Sequence, residues 1–259
     1  MTSRLFAFAQ SKSHRGWIEA ALACRALLFL GRRFKCPCCG WSLRAFTHGG
    51  TSLRVRENGY CPRCNAKARH RRDWLFLREH TNLFTDPIRL LHVSPKYALA
   101  RRLVRVQSID FVSVDIAHRP YVTHRADVTD LPFDTCSFDA VICIHVLEHI
   151  PDDRKALKEL HRVLKPGGWA VITVPIDFSR PTHEDPAIVS PEERRRLFGE
   201  EQHVRAYGCD FAHRLSQAGF QVSVHAGADL GQETKDRYGL LDDENVFYCI
   251  RNGISDRHS

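Results

Sequence analysis

The chain has 259 residues, 43% of them hydrophobic, with 38 Lys/Arg against 30 Asp/Glu and a net charge of +8. That length and apolar share exclude a disordered chain and suit one α/β domain with a smaller module, and the positive balance is a weak pointer to an anionic partner. Ten cysteines, four of them in two CxxC pairs, with no convincing secretion signal, favour thiolate metal ligands in a reducing, cytoplasmic compartment over a disulfide scaffold.

The basic excess lies at the front, where sixteen Lys/Arg and four Asp/Glu precede residue 81. Residues 1–16 are polar and basic and read as a frayed start. Trp17–Leu30 predicts a helix ended by Gly31 and packed on the body of the protein. The alternative is an amphipathic helix on an anionic membrane, with Arg25, Arg32 and Arg33 as surface contacts. Ile18–Leu30 has thirteen residues and contains Glu19 and Arg25, too short and too charged to span a bilayer.

Two knuckles follow, Cys36-Pro37-Cys38-Cys39-Gly40 and Cys61-Pro62-Arg63-Cys64-Asn65. Zinc wants four soft ligands at tetrahedral geometry, and two short turns with two thiolates each supply them with little strain. Cys36, Cys39, Cys61 and Cys64 are therefore the expected ligands, with Cys38 a bystander and His70 a weaker substitute. Gly40 and Asn65 stand where knuckle turns favour positive φ. Between the knuckles, Ser42–Val55 predicts a hairpin turned at Gly49-Gly50. After them, Ala66–His80 predicts a basic helix with Trp74, Leu75 and Leu77 inward. Arg69, Arg71 and Arg72 would form a cationic face, either solvated or touching phosphates.

Beyond residue 81 the pattern alternates strand and helix. Ile88–Val93, Ile109–Val114, Val122–Ala126 and Phe138–Ile144 read as strands. Pro151-Asp152-Asp153 opens a helix with acidic residues in its first turn. Ala156, Leu157, Leu160, Val163 and Leu164 recur along it at helical spacing. Pro166-Gly167-Gly168 stops it, and Trp169–Val174 is a second buried strand, which completes a right-handed crossover. A long insert runs from Asp177 to about Val204 and carries Thr182-His183-Glu184-Asp185 and His203; loops of this length are usually functional. A helix opens at Tyr207-Gly208-Cys209-Asp210 and ends at Gly219. Phe220–Val224 and Val246–Ile250 are the last strands, with Arg237–Asn245 polar and exposed between them.

FDAVICIHVLEHI followed by LHRVLKPGGWAVITVP closely resembles the fourth and fifth strands of class I methyltransferases that use S-adenosylmethionine. With CPxC and CPRCxxxxRHR before it, the chain is similar to bacterial methyltransferase-domain proteins with an amino-terminal zinc ribbon, a resemblance over roughly residues 35–220. It implies a doubly wound, seven-stranded Rossmann-like sheet whose last strand is antiparallel. The expected division is a helical segment (1–34), a zinc ribbon with its basic helix (35–80) and the methyltransferase domain (81–259).

The resemblance also implies roles. Asp115, ending the second strand, would accept both ribose hydroxyls, and Ile116 beside it counts among the cofactor contacts. Asp127 would accept from the adenine amino group, with Val128 against the ring. Ile144 and His145 would line the cofactor near its sulfonium. Most relatives carry a Gly-rich turn after the first strand, and this chain has Ser94-Pro95-Lys96-Tyr97. Ser94 as a helix cap, Pro95 in the first turn, free amides and Lys96 could together hold the methionine carboxylate. Glu148-His149 is either a helix cap pair or functional. For a general base the candidates are His149, His203, His145 and His183, with His149 and His203 favoured.

Three readings follow. The first is an S-adenosylmethionine-dependent methyltransferase with a structural zinc site, acting on a hydroxyl or amine of a small-molecule or saccharide-type acceptor. The second is an RNA methyltransferase that binds RNA through the basic ribbon, although aromatics do not interleave with that basic run as stacking platforms would. The third is a silent binding protein on a decayed fold.

Overall fold

A computed structural model describes residues 12–51 and 54–252, so the frayed start expected over residues 1–16 lies outside the described residues as far as residue 11, and residues 12–16 are helical instead. Helix α1 (Lys12–Leu27) ends before the expected stop, and Leu30–Lys35 is strand β1. It pairs antiparallel with β2 (Ser42–Leu43). Gly31 sits inside β1 because a Cβ there would lie 2.6 Å from the backbone nitrogen of Arg44. Arg25 is not a membrane contact: its Nε donates to Pro62 O at 2.9 Å and ties α1 to the second knuckle. Among the described residues no helix is long and apolar enough to cross a membrane.

Strands β3 (Thr47–Thr51) and β4 (Arg54–Tyr60) form a second two-stranded pair, and with β1, β2 and the two cysteine knuckles they make a small cysteine-bearing ribbon. Gly49 and Gly50 pair with Arg56 and Val55 inside the ladder, so the two glycines are not the turn expected there. Gly59 is needed for close approach, since its Cβ would meet Gly49 N at 2.3 Å.

Helix α2 (Ala68–His80) corrects the charge reading. His70, Arg71, Arg72 and Asp73 are all buried. Arg71 donates to the carbonyls of Asn58, Ala66, Tyr238 and Gly239 at 2.6–3.0 Å and lies 3.8 Å over the Phe46 ring. Arg72 reaches His225 O at 3.3 Å. A guanidinium survives burial best with its donors met, and carbonyls and a ring face meet those of Arg71, whereas Arg72 Nε has no hydrogen-bond partner among the described residues. The expected cationic face is therefore an internal tether between the ribbon and the segment after the sixth strand of the main sheet. That segment is less exposed than expected: Leu240, Glu244 and Asn245 are buried.

The main domain runs β5 (Ile88–Val93), α3 (Tyr97–Leu103), β6 (Ile109–Asp115), β7 (His124–Arg125), β8 (Phe138–Ile144), α4 (Asp153–Val163) and β9 (Leu164–Thr173). The insert follows as β10 (Ile176–Asp177), β11 (His183–Glu184), α5 (Pro191–Phe198) and β12 (Arg205–Gly208). The chain then adds α6 (Phe211–Gln217), β13 (Phe220–His225), α7 (Gln232–Tyr238) and β14 (Val246–Arg251). The seven-stranded sheet has the order β13-β14-β9-β8-β5-β6-β7. Only β14 is antiparallel to its neighbours. This is the doubly wound α/β architecture expected, with the winding direction reversing between β5 and β8, where ligands sit in such sheets.

Burial follows the strand pleat. Val141 and Cys143 of β8 face a core closed by Leu157 and Leu160 of α4 and Phe211 of α6. Ala140, Ile142 and Ile144 face the other core, closed by Trp74, Phe76 and Leu77 of α2, Leu99 of α3 and the cysteine cluster of the ribbon. The ribbon is thus part of the second face of the sheet.

Candidate active site

At the tips of the adjacent strands β5 and β8, Ser94 and His145 both adopt left-handed backbone, with φ of 46° and 50°. Non-glycine residues hold this conformation at a cost of about 1–2 kcal/mol each, and such strain clusters where function needs it. Each is pinned by a backbone bond, Ser94 N to Val114 O and His145 N to Thr173 O, both 2.8 Å. Ser94 does not cap α3, and Pro95 precedes the helix instead of standing in its first turn. The cap position is Lys96, which makes no capping bond, because the left-handed turn at Ser94 delays the helix. Lys96 Nζ instead bridges the two tips, 3.5 Å from Ser94 Oγ and 3.4 Å from His145 O. Burial lowers its pKa, and Glu148 works against that shift. A largely buried ammonium with only long contacts suits a carboxylate ligand.

Asp115, at the tip of β6, is 7% exposed. Its Oδ1 accepts from Ala117 N at 2.8 Å. Its Oδ2 is buried without a hydrogen-bond partner among the described residues, with Arg119 Nε 3.8 Å away. Ile116 beside it is 65% exposed, an unusual position for a large apolar side chain. Ala126 N donates to Asp115 O at 3.2 Å and brings the Asp127 turn alongside. Asp127 is exposed, and its Oδ1 accepts from the amide and hydroxyl of Thr129 at 2.8 and 2.9 Å. Val128 and Ile144 are buried in the cores, so only their backbone is available to a ligand.

The strand tip of β8 carries the acceptor-side groups. His145 Nδ1 lies 3.0 Å from Glu148 Oε1. Burial pushes His145 down to about 4, against the pull of Glu148. Burial, the largest single influence on Glu148, opposes its ionisation, but the hydrogen bond and charge of His145, with smaller help from the backbone and His149, together outweigh it and lower the pKa. At neutral pH the carboxylate can only accept, so Nδ1–H of neutral His145 donates. Glu148 Oε2 is buried and unpartnered among the described residues. Glu148 and His149 do not cap α4. Asp152 does, accepting from Lys155 N at 2.9 Å.

The strand β12 segment brings His203 to this loop. Val204 N donates to Glu148 O at 2.9 Å. Arg205 donates to Leu147 O at 2.9 Å, to Pro151 O at 2.8 Å and also to Ile150 O, so one guanidinium wraps the whole Leu147–Pro151 turn. His149 and His203 then face each other edge to face at 4.8 Å. Their Nδ1 atoms lie 3.2 Å from Gln202 O and 2.9 Å from Phe198 O. A carbonyl only accepts, so both Nδ1 atoms donate and Nε2 is the nitrogen each ring leaves for a ligand.

The insert is less chemical than expected. Glu184 pairs with Arg214 at 2.7 Å and Arg205 at 2.8 Å, and Asp153 binds Arg214 at 2.8 Å and Tyr207 Oη at 2.6 Å. Thr182 donates to Asp210 at 2.6 and 2.7 Å. Glu184 is therefore a structural latch. His183 packs on Phe198 with ring centroids 5.4 Å apart. The sequence does not announce this lock, because Asp153, Glu184 and Arg214 stand 30 to 61 residues apart along the chain.

In the ribbon, the sulfurs of Cys36, Cys39, Cys61 and Cys64 lie within 4.8 Å of one another. Cys36–Cys64 is 3.6 Å and Cys39–Cys61 is 3.7 Å. Four sulfurs about 2.3 Å from one zinc would stand about 3.8 Å apart, so the donor set fits that ion. Gly40 and Asn65 have φ of 79° and 59°. Cys38 points instead to His70 O at 3.4 Å, and His70 is outside the cluster.

Residues 92–172 match the family model described as a methyltransferase domain. A demethylmenaquinone methyltransferase from Clavibacter sepedonicus is 55% identical over 57 residues, 22% of each chain. A 2-phytyl-1,4-naphtoquinone methyltransferase from Nostoc punctiforme is 34% identical over 126 residues, covering 39% of this chain and 50% of that one. The chain spans between a fifth and a half of the length of these curated relatives. The crystal structure of the [4+2]-cyclase SpnF shares the fold at a TM-score of 0.50 and 16% identity, over 73% of this chain and 82% of that one. That likeness concerns fold alone, and a cyclase on this scaffold shows that the methyltransferase domain must be read from its site.

Proposed function

We propose that the protein is an S-adenosylmethionine-dependent methyltransferase with a structural zinc ribbon, acting on a small-molecule acceptor. The observation that carries this reading is the buried, half-satisfied carboxylate of Asp115 at the tip of β6. Oδ2 lacks a donor among the described residues, and two ribose hydroxyls would supply donors to a group that otherwise bears a desolvation cost of about 1–3 kcal/mol. Exposed Ile116 offers the adenine ring an apolar face, and Asp127 an acceptor for its amino group. Lys96, bridging Ser94 and His145, takes over from the glycine-rich turn by meeting the methionine carboxylate with charge. When bound, the cofactor supplies an electrophilic methyl on a sulfonium.

The acceptor would enter beside the loop that follows β8. There His149 and His203 present Nε2 lone pairs, and Arg205 holds the loop still, which favours catalysis by positioning. The matched relatives are named for quinone-type acceptors, which supports a small molecule over RNA. Burial of Arg71 and Arg72 weakens the RNA reading, because the arginines that would have gripped phosphates are internal. The four cysteines would hold zinc as a closed tetrathiolate, which favours a structural over a catalytic role.

The test is calorimetry with S-adenosylhomocysteine on the full chain, followed by structure determination of the complex. Binding with the ribose on Asp115 is expected. A folded, zinc-loaded protein that gives no heat would sink the proposal and leave the silent binding protein.

A further inference from the structure

We infer that Glu148, His149 and His203 form a second metal site, beside the cofactor cleft and separate from the ribbon, that takes a divalent transition ion and through it an acceptor bearing adjacent oxygen donors. The inference about the acceptor rests on the methyltransferase reading; the ion site itself does not.

Three observations carry it. One donor atom from each residue lies within 4.8 Å of the others, a spread that small rotamer changes would close to the ~3 Å between neighbouring ligands of a single ion. Both rings have Nδ1 committed to a backbone carbonyl, Gln202 O for His149 and Phe198 O for His203. That is the outer-shell arrangement that fixes a ligating histidine with Nε2 outward. Glu148 is 1% exposed, yet Oε2 has no hydrogen-bond partner among the described residues. An ionised oxygen left so deep asks for a cation. Lys96 acts on it at a distance, and its ammonium contacts belong to Ser94 and His145. Glu200 Oε2 stands 3.7 Å from His203 Nε2, a nearby exposed carboxylate able to swing onto the same ion.

Two imidazoles with one carboxylate select zinc, manganese, iron or cobalt over magnesium or calcium. Three protein ligands leave positions open, so the ion would bind substrate as well as structure. Chelation favours an acceptor with two neighbouring oxygens, such as a catechol, a vicinal diol or a hydroxy acid. A hydroxyl on the ion would release its proton to water near neutral pH, so neither histidine need serve as the base.

The experiment adds Co2+ to the full chain with the ribbon already filled by zinc, and follows visible absorption and equilibrium dialysis. Wild type should take up about one further equivalent with the weak bands of a nitrogen and oxygen site, distinct from the intense bands of a tetrathiolate. His149→Ala and Glu148→Gln should each weaken that uptake at least about tenfold while zinc content and thermal midpoint hold. The inference is overturned if wild type binds no Co2+ beyond exchange into the ribbon, or if either variant binds like wild type. S-adenosylhomocysteine binding on the same samples keeps the two readings apart. Cofactor binding without the second ion ends the metal site alone, and the second ion without cofactor binding ends the methyltransferase reading alone.

Discussion

Replacing Asp115 by Asn should weaken S-adenosylhomocysteine binding without weakening the empty protein. The substitution keeps the size of the side chain and the oxygen that accepts from Ala117 N at 2.8 Å. It turns Oδ2, the buried atom without a partner, from an acceptor into a donor. A hydrogen bond to an ionised group contributes about 1.5–3 kcal/mol, so losing the one to a ribose hydroxyl corresponds to about 10- to 150-fold in affinity. In the free protein the same change removes a buried charge that Arg119, itself largely exposed, meets only at 3.8 Å, so its thermal midpoint should stay or rise. A merely structural Asp115 would behave in the opposite way, lowering the midpoint and leaving affinity alone. Calorimetry for binding and scanning calorimetry for stability, on one preparation, separate the cases. Asp115→Asn binding within about twofold of wild type would refute the ribose contact and with it the reasoning from the orphaned oxygen.

Cys61→Ser with Cys64→Ser should lower zinc from about one equivalent per chain to none, read by metal analysis, and should lower the melting midpoint, because the cluster forms part of the second core. Arg205→Lys should destabilise by about 3 kcal/mol in urea unfolding, since one ammonium cannot replace a fork that meets three carbonyls and Glu184; a change under about 0.5 kcal/mol would show that the wrap around Leu147–Pro151 is incidental. Stability should also fall in acid. Hydrogen bonding from Arg214 holds Glu184 at about 2, below its usual 4.5. A depressed carboxyl stabilises above its unfolded pKa and loses that contribution as pH falls from about 4.5 to about 2. Discounted for the carboxylate's 36% exposure, the loss is about 1 kcal/mol, and it should vanish in Glu184→Gln.

The strands were the most legible part of the fold. Phe138–Ile144 falls on its expected bounds, because a strand buried on both faces is a continuous apolar run. The knuckle turns were equally plain, since Gly40 and Asn65 mark the positive φ that such turns require. Charged residues misled. Arg71 and Arg72 sit in a stretch that looks solvated, and only the packing of α2 against Tyr238, Gly239 and His225 takes them inside. Those partners lie more than 150 residues away in sequence, where no local pattern reaches. The site was legible in parts. Asp115 and the histidines stood out by type and place, but the Arg205 clamp that brings His203 to His149 is a tertiary fact, as are the left-handed backbones of Ser94 and His145.

The tether of Arg71 and Arg72 changes how this molecule should be dissected. Trp74, Phe76 and Leu77 roof the sheet from the same helix that hangs from the ribbon, so cutting the chain near residue 81 would flay one side of the domain and leave a sticky fragment. Nucleic-acid retention by such a fragment would report bared grease and stranded guanidinium charge, not recognition. Metal starvation, in turn, should cripple the distant cleft as surely as a change made within it.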